Sequence, residues 1–218
     1  MTGKCKTCEI LSFLRSKFSN AALKGLVNES HACHLQMYMQ ERIKYHERRR
    51  EAIGNPTKIL SCISDGMATA HSIFPFLANL NSVSKSIEQK KRGVLDHGRK
   101  KFTMYRAFPC VQSNTNLNIF TFLSNLEDWR NEMGNRKDES PWPEKLHWQI
   151  DGGAENKTVL AICEHLVAVT PIQSIILTRL PVGHTHDDID AKFGAIWTGT
   201  RSRYMFYIYA LYTCVVLY

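Results

Sequence analysis

The sequence predicts an α/β protein: a mixed β-sheet core preceded by a helical segment. Three observations carry this. The first 55 residues repeat apolar side chains at helical spacing, short apolar runs replace that pattern from Lys58 onward, and two of those runs end in Asp-Gly. The chain has 218 residues, 44% of them hydrophobic and 22% charged, enough for one well-packed domain with an appendage and too apolar for general disorder.

In residues 1–55, Ile10, Phe13, Leu14, Phe18, Leu23 and Leu26 recur mostly every three or four positions and predict a helix over about Glu9–Val27. A second helix is expected from about Ser30 to Ala52, closed by Gly54 and Pro56. KILSCIS, bounded by Pro56 and Gly66, reads as a buried strand ending at Asp65. MATAHSIFPFL reads as a short helix or loop. SKSIEQKKRGVLDHG and KFTMYRAF alternate and predict a strand pair joined near Asp96–Gly98. Leu117, Phe120, Leu123, Leu126 and Trp129 mark a helix. KLHWQID is a strand ending at Asp151, NKTVLAICEHLVAV a helix, SIILTRL a buried strand, and Asp187–Trp197 a final helix. Cys62 and Cys163 fall on apolar faces and are expected in the core.

The order from residue 58 is β-β-β-α-β-α-β-α, that of a ribonuclease-H-like mixed sheet, in which the strand–helix–strand units make right-handed parallel crossovers. The organisation expected is an N-terminal helical segment over 1–55, a transposase- or integrase-type core over 56–198, and an apolar tail over 199–218. The run YMFYIYALYTCVVLY, 15 residues long, is shorter than the roughly 20 residues a helix needs to cross a bilayer. It is expected to be a truncated or aberrant end rather than a membrane anchor.

In that fold the ends of the first and fourth strands are neighbours, so Asp65 and Asp151 emerge side by side, and the turn HTHDDID enters the last helix at the same edge. Three converging carboxylates repel one another unless cations lie between them, and hard oxygen ligands select Mg²⁺ or Mn²⁺. Two such ions about 3.5–4 Å apart suit phosphodiester chemistry. The third ligand is one of Asp187, Asp188 and Asp190. Between Asp151 and Asp187 lie 35 residues, a separation familiar from D,D,E-type transposases. Taken singly, Asp-Gly at a strand end is also a turn signal, and acidic residues are favoured at any helix N-terminus.

SCISDGMATAH, GVLDHG, LHWQIDGGAENKTVLAICEHLV and above all LTRLPVGHTHDDIDAKFGAIW resemble an uncharacterised eukaryotic domain family regarded as transposon-derived, marked by an LPVGHTHxDID motif. The likeness spans roughly residues 5–197. It implies a metal-dependent DNA strand cleavage and transfer domain acting in the nucleus, and it ranks Asp190 first as third ligand, then Asp187, then Asp188. Gly152–Gly153 stand where the family usually has Asn and Cys or a similar pair. The second function class is therefore a decayed or domesticated transposase that binds nucleic acid without cutting it.

His184, beside the acidic turn, is a candidate to orient that turn, bond a phosphate or shuttle a proton. HTHDDI resembles the HxHxDH motif of binuclear zinc hydrolases, but Ile189 stands where that motif needs His and no histidine follows His186. Near the N-terminus Cys5, Cys8, Cys33 and His34 have zinc-ligand character, and such a staple would pin the two N-terminal helices together. The family resemblance also places CxxC and a later histidine here, His34 fitting best. The seven cysteines, an odd number, argue for reduced thiols inside a cell. The 28 Lys and Arg exceed the 20 Asp and Glu, giving a net charge of +8 that suits a polyanionic partner, DNA first. Arg92, Arg99, Lys100 and Lys101 flank the central strand pair as candidate phosphate contacts. A homo-oligomer is compatible with this reading.

Overall fold

A computed structural model describes residues 5–67, 73–74, 87–88, 90–108, 110–111, 115–136, 140–150, 157–179 and 188–203. Two helices come first, α1 over Lys6–Lys17 and α2 over Ala21–Gly54. The chain breaks between them at Phe18–Asn20, earlier than apolar spacing predicts, and runs helically through Asn28 and Glu29, where an interruption was expected. Asn20 is the reason: its side chain accepts hydrogen bonds from the Ala22 and Leu23 amides at 2.8 and 3.3 Å. A side-chain cap of this kind starts a helix whatever the apolar rhythm around it.

The strands are β1 (Ile59–Gly66), β4 (Lys90–Asp96), β5 (Lys101–Ala107), β6 (Lys145–Ile150) and β7 (Ser174–Arg179), in one sheet of order β5-β4-β1-β6-β7. Two short strands, β2 (Ile73–Phe74), where a helix or loop was expected, and β3 (Ile87–Glu88), within a stretch read as strand, pair antiparallel as a separate ladder. Strand β4 is antiparallel to β1, and β5 to β4. Strands β1, β6 and β7 run parallel. The protein is thus mixed α/β, as expected. Its remaining helices are α3 (Thr115–Gly134), α4 (Lys157–Val169) and α5 (Asp188–Arg203). Helix α5 continues past residue 198, the expected end of the core; the apolar run from 204 lies outside the described residues.

Both sheet faces are covered, which is why β1 reads as a continuous apolar run rather than an alternating one. Leu60 and Cys62 of β1, Val94 of β4, and Leu146, Trp148 and Ile150 of β6 point to one face. There they meet Phe122, Leu126, Trp129 and Met133 of α3 and Val159 and Cys163 of α4. Phe122 stacks on Trp148 with ring centroids 3.8 Å apart. Cys62 and Cys163 are buried as expected.

On the opposite face Ile63, Leu95 and Met67 pack with Ile189 and Phe193 of α5. Because strand side chains alternate, Asp65 shares that face with Ile63. The C-terminal part of α2 covers the other end of the same face. Glu51 pairs with Lys145 at the start of β6 at 3.0 Å, and Ala52 is fully buried. The N-terminal helical segment is therefore continuous with the core.

Candidate functional site

The register of β1 and β6 pairs Ser64 with Ile150. Each immediately precedes one of the aspartates singled out above, Asp65 and Asp151. Asp65 is half-buried, and its Oδ1 accepts the Gly66 amide at 2.6 Å. Across the antiparallel ladder Asp65 stands opposite Gly93, and Gly66 opposite Arg92. A Cβ on Gly93 would come within 2.8 Å of the rings of Phe102 and Phe193, so the bare backbone there lets α5 sit close on the sheet. Asp151, His184 and Asp187 lie outside the described residues.

Helix α5 opens with Asp188, Ile189 and Asp190, negative charge being favoured at a helix N-terminus. Ile189 is buried against the sheet. Successive helical residues are about 100° apart, so Asp188 and Asp190 leave on opposite flanks of Ile189. Asp188 turns toward α2: its Oδ2 receives Arg49 at 2.8 Å and the Tyr45 hydroxyl at 3.2 Å. A carboxylate held by those partners ties the start of α5 to α2. Asp190 is exposed on the other flank.

Behind Asp188 runs a buried polar chain. The Tyr45 hydroxyl lies 3.0 Å from His97 Nε2, and His97 Nδ1 lies 3.2 Å from the Ser61 hydroxyl. With the Tyr45 proton on Asp188, the tyrosine oxygen can accept from His97 Nε2, which leaves Nδ1 to accept from the Ser61 hydroxyl. One direction of donation thus satisfies every member. Burial pushes the His97 imidazole down to about 4 against the pull of Asp188, so it is neutral in this chain at physiological pH. His97 carries weak functional signals in sequence and Tyr45 none, because the contact joins residues 52 positions apart.

The basic candidates divide. Arg99 is not available to a phosphate. Its side chain is 5% exposed, with Nε 2.7 Å from Asp96 and Nη1 3.2 and 3.0 Å from Asp128 and Glu132. Burial pulls its pKa down, and these three carboxylates more than restore it. Lys101 is paired with Asp128 at 2.6 Å. Lys100, exposed at a left-handed turn position (φ 54°), lies in the turn between β4 and β5, by the start of β1, whereas Arg92, half-buried, stands opposite Gly66 at the end of β1 that carries Asp65.

At the N-terminus the ligand atoms of Cys5, Cys8 and His34 lie within 4.8 Å of one another and could hold a metal ion such as zinc. Cys5 Sγ is 3.2 Å from His34 Nε2. Burial, then the neighbouring Cys5, raises the Cys8 thiol pKa, a shift that a bound cation would oppose. Cys33 stands exposed outside this group, contrary to expectation. It neighbours His34 on α2, and one helical step turns it about 100° away.

A protein-family model covers residues 80–215, more than half of the sequence. The chain belongs to the family described as a domain of unknown function (DUF7869). No curated protein and no solved structure matches it. The DUF7869 span takes in β4 to α5, and with them Asp151, Asp187, Asp188 and Asp190. It leaves out α1, α2 and β1, although β1 is the central strand, lying between β4 and β6. In this chain, then, the DUF7869 sheet is completed by a preceding strand that brings Asp65, while Tyr45 and Arg49 reach in from α2.

Proposed function

We propose that the chain carries a divalent-metal-dependent DNA strand cleavage and transfer site of the transposase type, on a ribonuclease-H-like sheet, with Asp65, Asp151 and Asp190 as ligands. The observation that carries this reading is the sheet order β5-β4-β1-β6-β7, antiparallel on one side of β1 and parallel on the other, with Ser64 opposite Ile150. That pairing brings the two strand ends that precede the aspartates together. The resemblance of the LPVGHTHDDID segment to a transposon-derived family supports the same class.

In this reading Asp65 and Asp151 supply paired oxygen ligands at the sheet edge, and Asp190 adds a third from the flank of α5 that faces away from α2. Helix α2 lies over the starts of β1 and β6, through Ser61, His97 and Lys145. Carboxylates gathered in this way stay ionised together when Mg²⁺ or Mn²⁺ lies between them. The ions would supply activation of water or a 3′-hydroxyl and stabilisation of the leaving oxygen. Arg92, opposite Gly66, is the candidate phosphate contact at that end, and the net charge of +8 suits a DNA partner in the nucleus.

The test is nicking of supercoiled plasmid by the purified chain in Mg²⁺ and Mn²⁺, beside Asp65→Asn and Asp151→Asn. Cleavage by the parent and none by folded variants is the expected result. Salt-sensitive DNA binding without cleavage by the folded parent would replace this reading with a non-catalytic descendant of a transposase.

A further inference from the structure

We propose that His31 is the fourth ligand of a closed zinc site with Cys5, Cys8 and His34, and that this site locks helix α1 onto α2. The three residues already grouped offer two sulfurs and one imidazole nitrogen. A structural zinc takes four protein ligands in a tetrahedron, and three leave a position open to water. The packing of the two helices determines which residue stands at that position.

Every residue of α1 is exposed except Cys8, Leu11 and Leu14, a face that Cys5 begins and Phe18 ends. Between Val27 and Tyr38, α2 is exposed except at His31 and His34. Spacings of three and four residues put each set on one face of its helix. The helices pack against each other and are joined by the short break Phe18–Asn20, so they run antiparallel with these faces together. Near the break the faces are apolar, with Leu14 and Phe18 on one side and Val27 on the other. Farther out they turn to cysteine and histidine.

Cys5 Sγ lies 3.2 Å from His34 Nε2, so those two residues stand level across the hairpin. Three residues nearer the break along α1 comes Cys8, and three nearer along α2 comes His31. Because the helices are antiparallel, that pair is level too, about 4.5 Å along the axis from the first. His31 shares a face with His34, their Cβ atoms about 5–6 Å apart. As the side chains stand, His31 is not among the three whose ligand atoms gather within 4.8 Å. Its imidazole reaches the fourth position by turning to another staggered rotamer, the helices keeping their places. Glu9 and Cys33, the ligand types next in sequence to Cys8 and His34, are exposed, each turned one helical step of about 100° from its neighbour.

Two thiolates and two imidazoles make a tetrahedral set that suits zinc. Cys5 and Cys8 bind after releasing their protons to solvent, and both histidines bind neutral. The sulfurs lie at the amide end of α1, where the helix dipole favours negative charge. With all four positions filled there is no place for a reacting water, so the role is to hold structure. The hairpin has little else to hold it: α1 buries none of its residues, and Val27 is the one buried residue of α2 before Tyr45. Small helical segments with so little core are commonly stapled by a metal.

The test uses the full chain and the variants His31→Ala, His31→Cys and Cys33→Ser. Zinc is measured by elemental analysis before and after dialysis against a chelator, and the Co²⁺-substituted proteins are compared by visible and near-ultraviolet absorption. The parent is expected to keep about one zinc per chain through dialysis and to give the intense visible bands of tetrahedral Co²⁺. His31→Ala, a substitution that favours the helix, is expected to lose most of its zinc and to give the weaker bands of a site that has taken up water. Cys33→Ser is expected to match the parent. His31→Cys exchanges one ligand type for another, so it is expected to keep zinc and to strengthen sulfur-to-cobalt absorption by about half, as two thiolates become three. A residue that only packs at position 31 would not produce that gain. Thermal melting shows whether each fold is intact, and if His31→Ala does not fold, His31→Cys carries the comparison.

Zinc held by folded His31→Ala as firmly as by the parent, or an unchanged sulfur band in His31→Cys, would overturn His31 as a ligand. A folded parent that binds neither zinc nor Co²⁺ with its thiols reduced would overturn the site altogether. Neither DNA nor Mg²⁺ enters these measurements, so their outcome is independent of the nuclease reading.

Discussion

Replacing Arg99 with methionine separates the two roles this residue can have. By sequence Arg99 belongs to a basic cluster, Arg99–Lys101, that a phosphate backbone could approach. In the fold its side chain is 5% exposed and that of Asp96 is 1% exposed, with Nε and Oδ2 2.7 Å apart. Arg99→Met keeps the apolar stem and removes the charge, so Asp96 is left with the backbone amides of positions 98 and 99 and without its Arg99 partner. Burial already pushes the Asp96 carboxyl up, and Arg99 is the group that opposes this. Breaking a buried pair from one side costs about 3–5 kcal/mol. At roughly 2–4 °C per kcal/mol for a domain of this size, the melting temperature is expected to fall by about 6–20 °C. The double variant Asp96→Asn/Arg99→Met removes the orphaned charge and is expected to recover more than half of that loss. Thermal melts and urea titrations read the stability, and DNA affinity at fixed salt reads the alternative. A single variant that melts within about 2 °C of the parent yet binds DNA several-fold more weakly would refute the buried-pair argument and return Arg99 to the phosphate contacts.

Two further outcomes follow from other parts of the fold. His97 falls from its ordinary 6.5 to about 4 because it is buried, so between those values the unfolded chain holds a proton that the folded chain does not. Its contribution to stability is complete above pH 6.5 and is lost as pH falls toward 4, on the order of 3 kcal/mol at full shift. Burial lowers His147 too, in the same direction. Urea unfolding at a series of pH values should therefore show a slope that His97→Gln flattens in part; an unchanged slope would mean that His97 is already protonated in the fold. The Cys5, Cys8 and His34 group should retain about one zinc per chain after purification, measured by elemental analysis, and lose it in Cys8→Ser. Chelation is expected to reduce helical circular dichroism as α1 separates from α2, and zinc retained equally by Cys8→Ser would exclude this group as the site.

Local sequence was sufficient wherever one element's own residues decide its form. The apolar run of β1, the strand ending before Asp151, the spacing from Leu117 to Trp129 and the burial of Cys62 and Cys163 were all legible, because the side-chain period reports which face is covered. Cys5, Cys8 and His34 were legible as donors by type, while the separation of Cys33 from them was not, since it depends on the angle of a helix already formed. Two helix limits at the N-terminus were misread because apolar spacing outweighed the capping side chain of Asn20.

Tertiary structure decided the rest, and the reason is common to each case: the partner lies far away in sequence. Arg99 looks like a surface cation until Asp128 and Glu132 of α3 arrive beside it. Asp188 and Asp190 are equivalent by composition and differ only because α2 stands on one flank of α5. Ser64 and Ile150 become neighbours through a parallel pairing that skips the two strands of β4 and β5. Chain periodicity specifies a face, but which face meets which neighbour is set by the packing of the whole sheet.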